Sequence, residues 1–285
     1  MSKLIVSAVI RLTKRIIFWI FLIGMFAYGA FMVFAVGSQN IEGNMLLEGC
    51  FWGFAPIMGM ISAIFVSLFI GAEYSDGTIR NKLIVGHKRT TIYMSNLVVC
   101  SIANVLFCLA YIVAVMVFGN MQNGTFAIGY GRVIFLTICS LLATISFTSI
   151  MTLLAMTNKN KSVNVVISML LALALLASGA TIYQSLCEPE QYDQYISVDS
   201  NGVPTEVDRL PNPQYIDGTQ RQVYEILSNC LPSGQSIQLA DMFNSTGENT
   251  SQDFSRPTEW PFYSVGIIFF TTVVGMAIFK KKEIK

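Results

Sequence analysis

The sequence predicts an all-α polytopic membrane protein: six transmembrane helices, an N-terminal interfacial helix, and an extracellular domain between the fifth and sixth helices. Three observations carry this reading. Apolar residues fill 53% of the 285 positions and charged residues only 12%, about half the charged share of a soluble domain, so most of the surface cannot face water. Six runs lack Asp, Glu, Lys, Arg and His and are long enough, at about 1.5 Å per residue, to cross a hydrocarbon core of about 30 Å. The cations gather on alternate connections, which sets the direction of threading.

Met1 to Arg15 mixes Leu4, Ile5, Val9, Ile10 and Leu12 with Lys3, Arg11, Lys14 and Arg15, a pattern suited to a helix lying in the inner interface. The first span runs from Ile16 to Val36. Its apolar stretch of about 20 residues exceeds the ~7–15 of a signal-peptide core, so it is expected to remain as a helix. The second span is Gly49 to Ala72, with a kink expected near Pro56. The third is Leu97 to Phe118, the fourth Val133 to Met156, the fifth Val163 to Tyr183 and the sixth Phe262 to Phe279. No water is available there to satisfy a backbone, so such runs form helices.

With the N-terminus inside, 14 of 18 Lys+Arg lie on cytoplasmic pieces and 14 of 17 Asp+Glu lie outside. Both termini are then cytoplasmic. The chain divides into residues 1–183 (interfacial helix and five spans), 184–260 (the extracellular domain) and 261–285 (the last span and a basic tail). The outer domain holds 12 acidic and 3 basic residues, a net of −9. Pro189, Pro204, Pro211 and Pro213 break its first half into extended or turn structure. Thr219 to Cys230 sets Val223, Ile226, Leu227 and Cys230 on one helical face, Pro232 to Gly234 end that helix, and Ser236 to Phe243 suggest another. The domain is expected to pack on itself as an outer cap. Cys187 and Cys230 are its two cysteines, and an oxidising exterior favours a bridge. It would close 44 residues and contribute about 4 kcal/mol.

Catalytic chemistry has little to work with. The single His87 excludes a His-based triad or HExxH zinc site within one subunit, and no GxxxxGK[ST] phosphate loop is present. Ion-driven carriers usually hold ionisable groups at the midplane, and these spans have none. What remains is polar but neutral. Ser140, Thr144, Thr148 and Thr152 recur every fourth residue in the fourth span, as helix packing or as a pathway lining. Ser62 and Ser67 in the second span, and Asn164 and Ser168 in the fifth, are the pathway candidates.

The inner connection after the second span is different in kind. From Glu73 to Tyr93 it reads E-Y-x-D-G-T-I-R-N-K-L-x-x-G-x-x-R-x-x-I-Y. Asp76 and Gly77 form a turn, and Thr78 can start a short helix carrying Ile79, Arg80, Asn81, Lys82 and Leu83, apolar anchors with basic rims. This segment, 73–93, resembles the inner loop of the type-2 family of ABC transporter membrane subunits. The six-span layout, the amphipathic start, the large outer segment and the terminal FKKKEIK resemble that family too. The resemblance implies a bacterial cell-membrane permease subunit, not itself an enzyme, that binds no cofactor. ATP and Mg belong to a separate ABC ATPase partner. It also implies a second permease subunit, contact with membrane lipid, no nucleic-acid partner, and export of a peptide (an antimicrobial one included), a drug or a lipid-like substrate. The short helix is then the ATPase-coupling element, with Glu73 pairing with Arg80 or Arg89 to hold the loop as a lever. An ion-coupled carrier and a non-transporting membrane sensor or immunity protein are the competing readings.

Overall fold

The computed structural model describes residues 2–37, 47–126, 128–158, 160–198, 204–242 and 254–282. Six helices among them are long and apolar enough to cross a membrane: α2 (Ile16–Gly37), α4 (Met58–Ser75), α6 (Arg89–Met121), α7 (Tyr130–Thr157), α8 (Lys161–Cys187) and α11 (Trp260–Lys281). α1 (Ser2–Lys14) precedes them, α3 (Glu48–Phe51) and α5 (Thr78–Ile84) flank α4, and β1 (Gln191–Val198), β2 (Pro204–Pro211), α9 (Gly218–Cys230) and α10 (Pro232–Asp241) form the outer domain. The expected all-α polytopic fold is found.

α4 is the central helix and packs on α7 and α8, while α2 leans on α6 and α11 on α7. Aromatic rings close the seam between α2, α4 and α6. The Phe65 and Phe107 rings meet edge to face at 5.0 Å, and Phe21 stacks on Phe107 at 5.8 Å. The second predicted span does not begin at Gly49. α3 ends at Phe51, a run of turns follows, and α4 starts only at Met58. Pro56 explains this, since it donates no N–H and pushes the preceding residue away from helical backbone. In compensation the Tyr111 hydroxyl donates to the Cys50 carbonyl at 2.5 Å, tying the break to α6. α6 is longer than its charge-free run because it starts at Arg89 and carries the polar Thr90 and Thr91 into the helix.

The outer domain differs more from expectation. Its proline-rich half is an antiparallel hairpin, β1 on β2, pairing Gln191 with Pro211 and Asp193 with Arg209. Pro232 does not merely end α9; it opens α10 at the first helical position, where its missing N–H costs nothing. The predicted apolar face of α9 is not its packing face. Val223, Ile226 and Leu227 are exposed, while Ser228 and Asn229 are buried. Polar satisfaction fixes α9 instead. The Asn229 amide donates to the Glu225 and Phe254 carbonyls at 2.8 Å each, and its Oδ1 accepts from the Arg256 N–H at 3.0 Å and the Trp260 indole at 2.8 Å. α10 then lies against α7 and α8, with Gln235 accepting from Ser264 of α11 at 3.1 Å.

Asn229→Ala would strand the buried Trp260 indole and the Arg256 amide, at about 1–3 kcal/mol for each unpaired group. The expected outcome is faster hydrogen exchange across residues 254–260 with the spans unaffected; unchanged exchange there would refute the hub assignment.

Candidate functional site at the inner end of the bundle

α4 ends at Ser75, and the chain reverses through Gly77, whose φ of +66° is open to glycine at little cost. α5 follows for seven residues. Its other end is closed by Gly86 at φ +93°, with the Gly86 N–H on the Leu83 carbonyl at 2.9 Å and the His87 N–H on the Lys82 carbonyl at 3.1 Å. That pair of bonds is a Schellman stop. Two glycines thus hold a short rigid stub between two spans.

One face of the stub is turned inward. Ile79 and Lys82 are buried, and the Lys82 ammonium lies 2.8 Å and 3.1 Å from the two carboxylate oxygens of Glu73, itself only 3% exposed. Arg11 of α1 donates to the same carboxylate at 2.9 Å, and Asn96 of α6 sits 3.4 Å from Lys82. Asn96 in turn reaches the Met156 sulfur on α7 at 3.6 Å. Three helices therefore meet at one buried carboxylate, and α6 and α7 are linked to it through Lys82 and Asn96. Burial holds the Lys82 ammonium below its ordinary pKa, and Glu73 opposes that shift. Arg15, in the joint between α1 and α2, and Asp76 of the turn form a second, exposed pair.

Glu73 pairs with neither Arg80 nor Arg89, the two cations expected of it, but with Lys82 and Arg11. Arg80 projects from the exposed face of α5, and Arg89 donates to the carbonyls of Phe279 and Lys282 at the end of α11. Lys82, three residues after Ile79, shares the inward stripe, and Arg11 arrives from a helix whose placement no local pattern announces. Lys282 completes the knot from the other side. It donates to the Tyr74 hydroxyl and the Met156 carbonyl, both at 2.9 Å, and lies 4.4 Å above the Tyr74 ring.

The outward face of the stub carries Arg80 and Asn81, followed by Ile84 and Val85, which are 72% and 75% exposed. These last two were not singled out from sequence; they continue the 80–81 stripe by one turn, which was the available signal. Beside them, Arg11, Thr78, Asn81, Lys82, Val85 and His87 line a recess of about 330 Å³. Leu83 is half-buried against the core, not at the tip.

The other predicted site residues lie elsewhere. Ser62, Ser67, Asn164 and Ser168 are buried where α4 and α8 pack together. The Ser67 hydroxyl donates to Ser168 at 3.0 Å, because small side chains let these helices approach closely. Thr144 and Thr148 of the fourth-span stripe bond their own preceding turns at 3.0 Å and 2.8 Å, the packing reading. Cys187 and Cys230 are both free thiols, so the expected bridge is not formed. Cys187 ends α8 beside Tyr183, whereas Cys230 ends α9 near Tyr263 of α11, and each faces its own neighbour.

A family model described as ABC-2 family transporter protein matches residues 6–179, from α1 through most of α8, and so contains the whole of this inner site except the α11 end. No curated protein matches the chain.

Proposed function

Since the chain belongs to the ABC-2 transporter family and is a multi-pass membrane permease subunit, we propose that α5 is the element through which a separate ABC ATPase drives it. The observation that carries this reading is the two-sided stub. Its inner face is locked to α1, α4 and α6 by Glu73–Lys82–Arg11, while Ile84 and Val85, rimmed by Arg80 and His87, project from the outer one. A mobile loop could not transmit displacement, and a stub without exposed apolar anchors would have little to seat in a partner's groove.

In this reading ATP and Mg are held by the partner, and this chain performs no reaction and binds no cofactor. Two permease subunits, identical or related, form the pathway in a bacterial cell membrane, with both termini cytoplasmic as the basic residues direct. Nucleotide-driven closure of the ATPases would displace both stubs and tilt the two halves between inward and outward states. Export of a peptide, drug or lipid-like cargo fits an acidic outer domain, whose net of −9 favours cationic cargo.

The test is co-purification in mild detergent, followed by reconstitution with and without the ATPase that accompanies the chain. Nucleotide turnover stimulated by the permease, and movement of cargo only when both are present, is the expected outcome. Transport that persists without the ATPase and collapses with an ion gradient would overturn it.

A further inference from the structure

α6 and α11 run side by side near the cytoplasmic end, where Tyr93 presses on the bare backbone of Gly275 and Arg89 donates to the Phe279 carbonyl at 3.3 Å. Past Tyr93 the two helices line a common recess. It is a groove of about 630 Å³ whose walls include Met94, Val98 and Ile102 of α6, Ile145 of α7, and Ile268 and Phe269 of α11.

From Met94 to Leu106 the groove follows twelve residues of helix, about 18 Å, which matches one leaflet, about half of a 30 Å core. Apart from Ser101 and Thr272 its walls are apolar, so a hydrocarbon chain is at home along it, and the charge at one end is what distinguishes a charged lipid from a second apolar span.

The cytoplasmic mouth is cationic. Val265, Ile268, Phe269 and Thr272 face the groove, and the same helical spacing continues through Met276 to Lys280. Lys280, Lys281 and Lys88 are exposed, and among the described residues none of them has an ion-pair partner. Cations at inner helix ends are general in membrane proteins; here they stand below a groove that can hold a chain.

We propose that the α6–α11 groove is a binding site for one anionic phospholipid, with an acyl chain along Val98, Ile102 and Ile268 and the phosphate at Lys280, Lys281 and Lys88. Naming the inner leaflet rests on the orientation proposed above; the site itself does not depend on the ATPase.

The full-length chain in mild detergent is offered phosphatidylglycerol or phosphatidylcholine of equal chain length, and retained lipid is counted by native mass spectrometry. Phosphatidylglycerol should be retained in preference, and Lys280→Gln with Lys281→Gln should weaken its retention about fivefold per lysine. Val98→Trp, and separately Ile102→Trp from the same wall, should displace the lipid while leaving the melting temperature in lipid-free detergent unchanged. Equal retention of the two lipids, or normally melting tryptophan variants that keep phosphatidylglycerol, would overturn the site. So would loss of a dimer with the lipid count unchanged, since a second copy would then occupy the groove. If both tryptophan variants fail to fold, the lysine pair, at exposed side-chain tips, decides the matter.

Discussion

Glu73→Ala is expected to lower the stability of the folded chain by about 3–5 kcal/mol, because it leaves a buried ammonium and a guanidinium without their shared counter-charge. Lys82 and Glu73 side chains are 6% and 4% exposed, so water cannot replace the lost partner. The exposed Arg15–Asp76 pair, with side chains 41% and 48% exposed, joins the same two parts of the chain. Asp76→Ala should nevertheless cost no more than about 1 kcal/mol. Thermal unfolding in detergent checks both. Combining Glu73→Ala with Lys82→Met should recover most of the loss, since an apolar residue of similar length removes the uncompensated charge. Equal melting points for Glu73→Ala and Asp76→Ala would show that the buried carboxylate does not organise the inner end.

The same cluster predicts a pH signature. Burial already depresses the Lys82 pKa in the folded chain, with Glu73 opposing the shift. In Glu73→Gln that opposition is gone, and the folded-state value falls further below the unfolded one. A lysine depressed in this way destabilises the fold fully below its folded pKa, and the penalty lifts as pH rises from there toward about 10.4, the unfolded value. Glu73→Gln should therefore regain stability relative to the parent chain as pH rises toward about 10.4. Parallel stability curves for the two would rule out an unpaired Lys82 as the cause.

The spans were legible in the sequence because each is a run of apolar residues whose backbone has only one way to be satisfied in lipid. Their ends were less so. The Pro56 break looked like a kink from sequence because nothing local says that Trp52 to Ile57 can be held as turns by Tyr111 from another helix. The inner stub was legible as a turn and short helix from Asp76, Gly77 and Thr78, but not which of its cations would be buried. That choice depends on Arg11 and Asn96, residues 62 positions before and 23 after Glu73 in sequence and supplied by separate helices. The outer domain misled for a related reason. Periodicity reported the apolar stripe of α9, yet the helix is placed by the four hydrogen bonds of one asparagine, which carry no periodic signal.

Ile84→Asp with Val85→Asp should abolish productive coupling while leaving the chain folded. The two side chains are 72% and 75% exposed, so the free permease loses almost no packing when they change. Buried in a partner groove, an isoleucine and a valine contribute about 1.5–3 kcal/mol each, and a carboxylate in their place adds a desolvation cost. Affinity for the ATPase should then fall on the order of 10²–10⁴-fold, and stimulation of its turnover should vanish at working concentrations. Arg80→Ala, at the rim and in water, should weaken association by less than about tenfold and mainly slow its onset at low salt. The contrast separates docking from lipid anchoring. If α5 merely held the inner leaflet through its cations, Arg80 and Lys88 would matter more than the two apolar tips, and aspartates at 84 and 85 would leave turnover untouched. A double variant with normal melting temperature and undiminished stimulation would remove α5 from the power stroke.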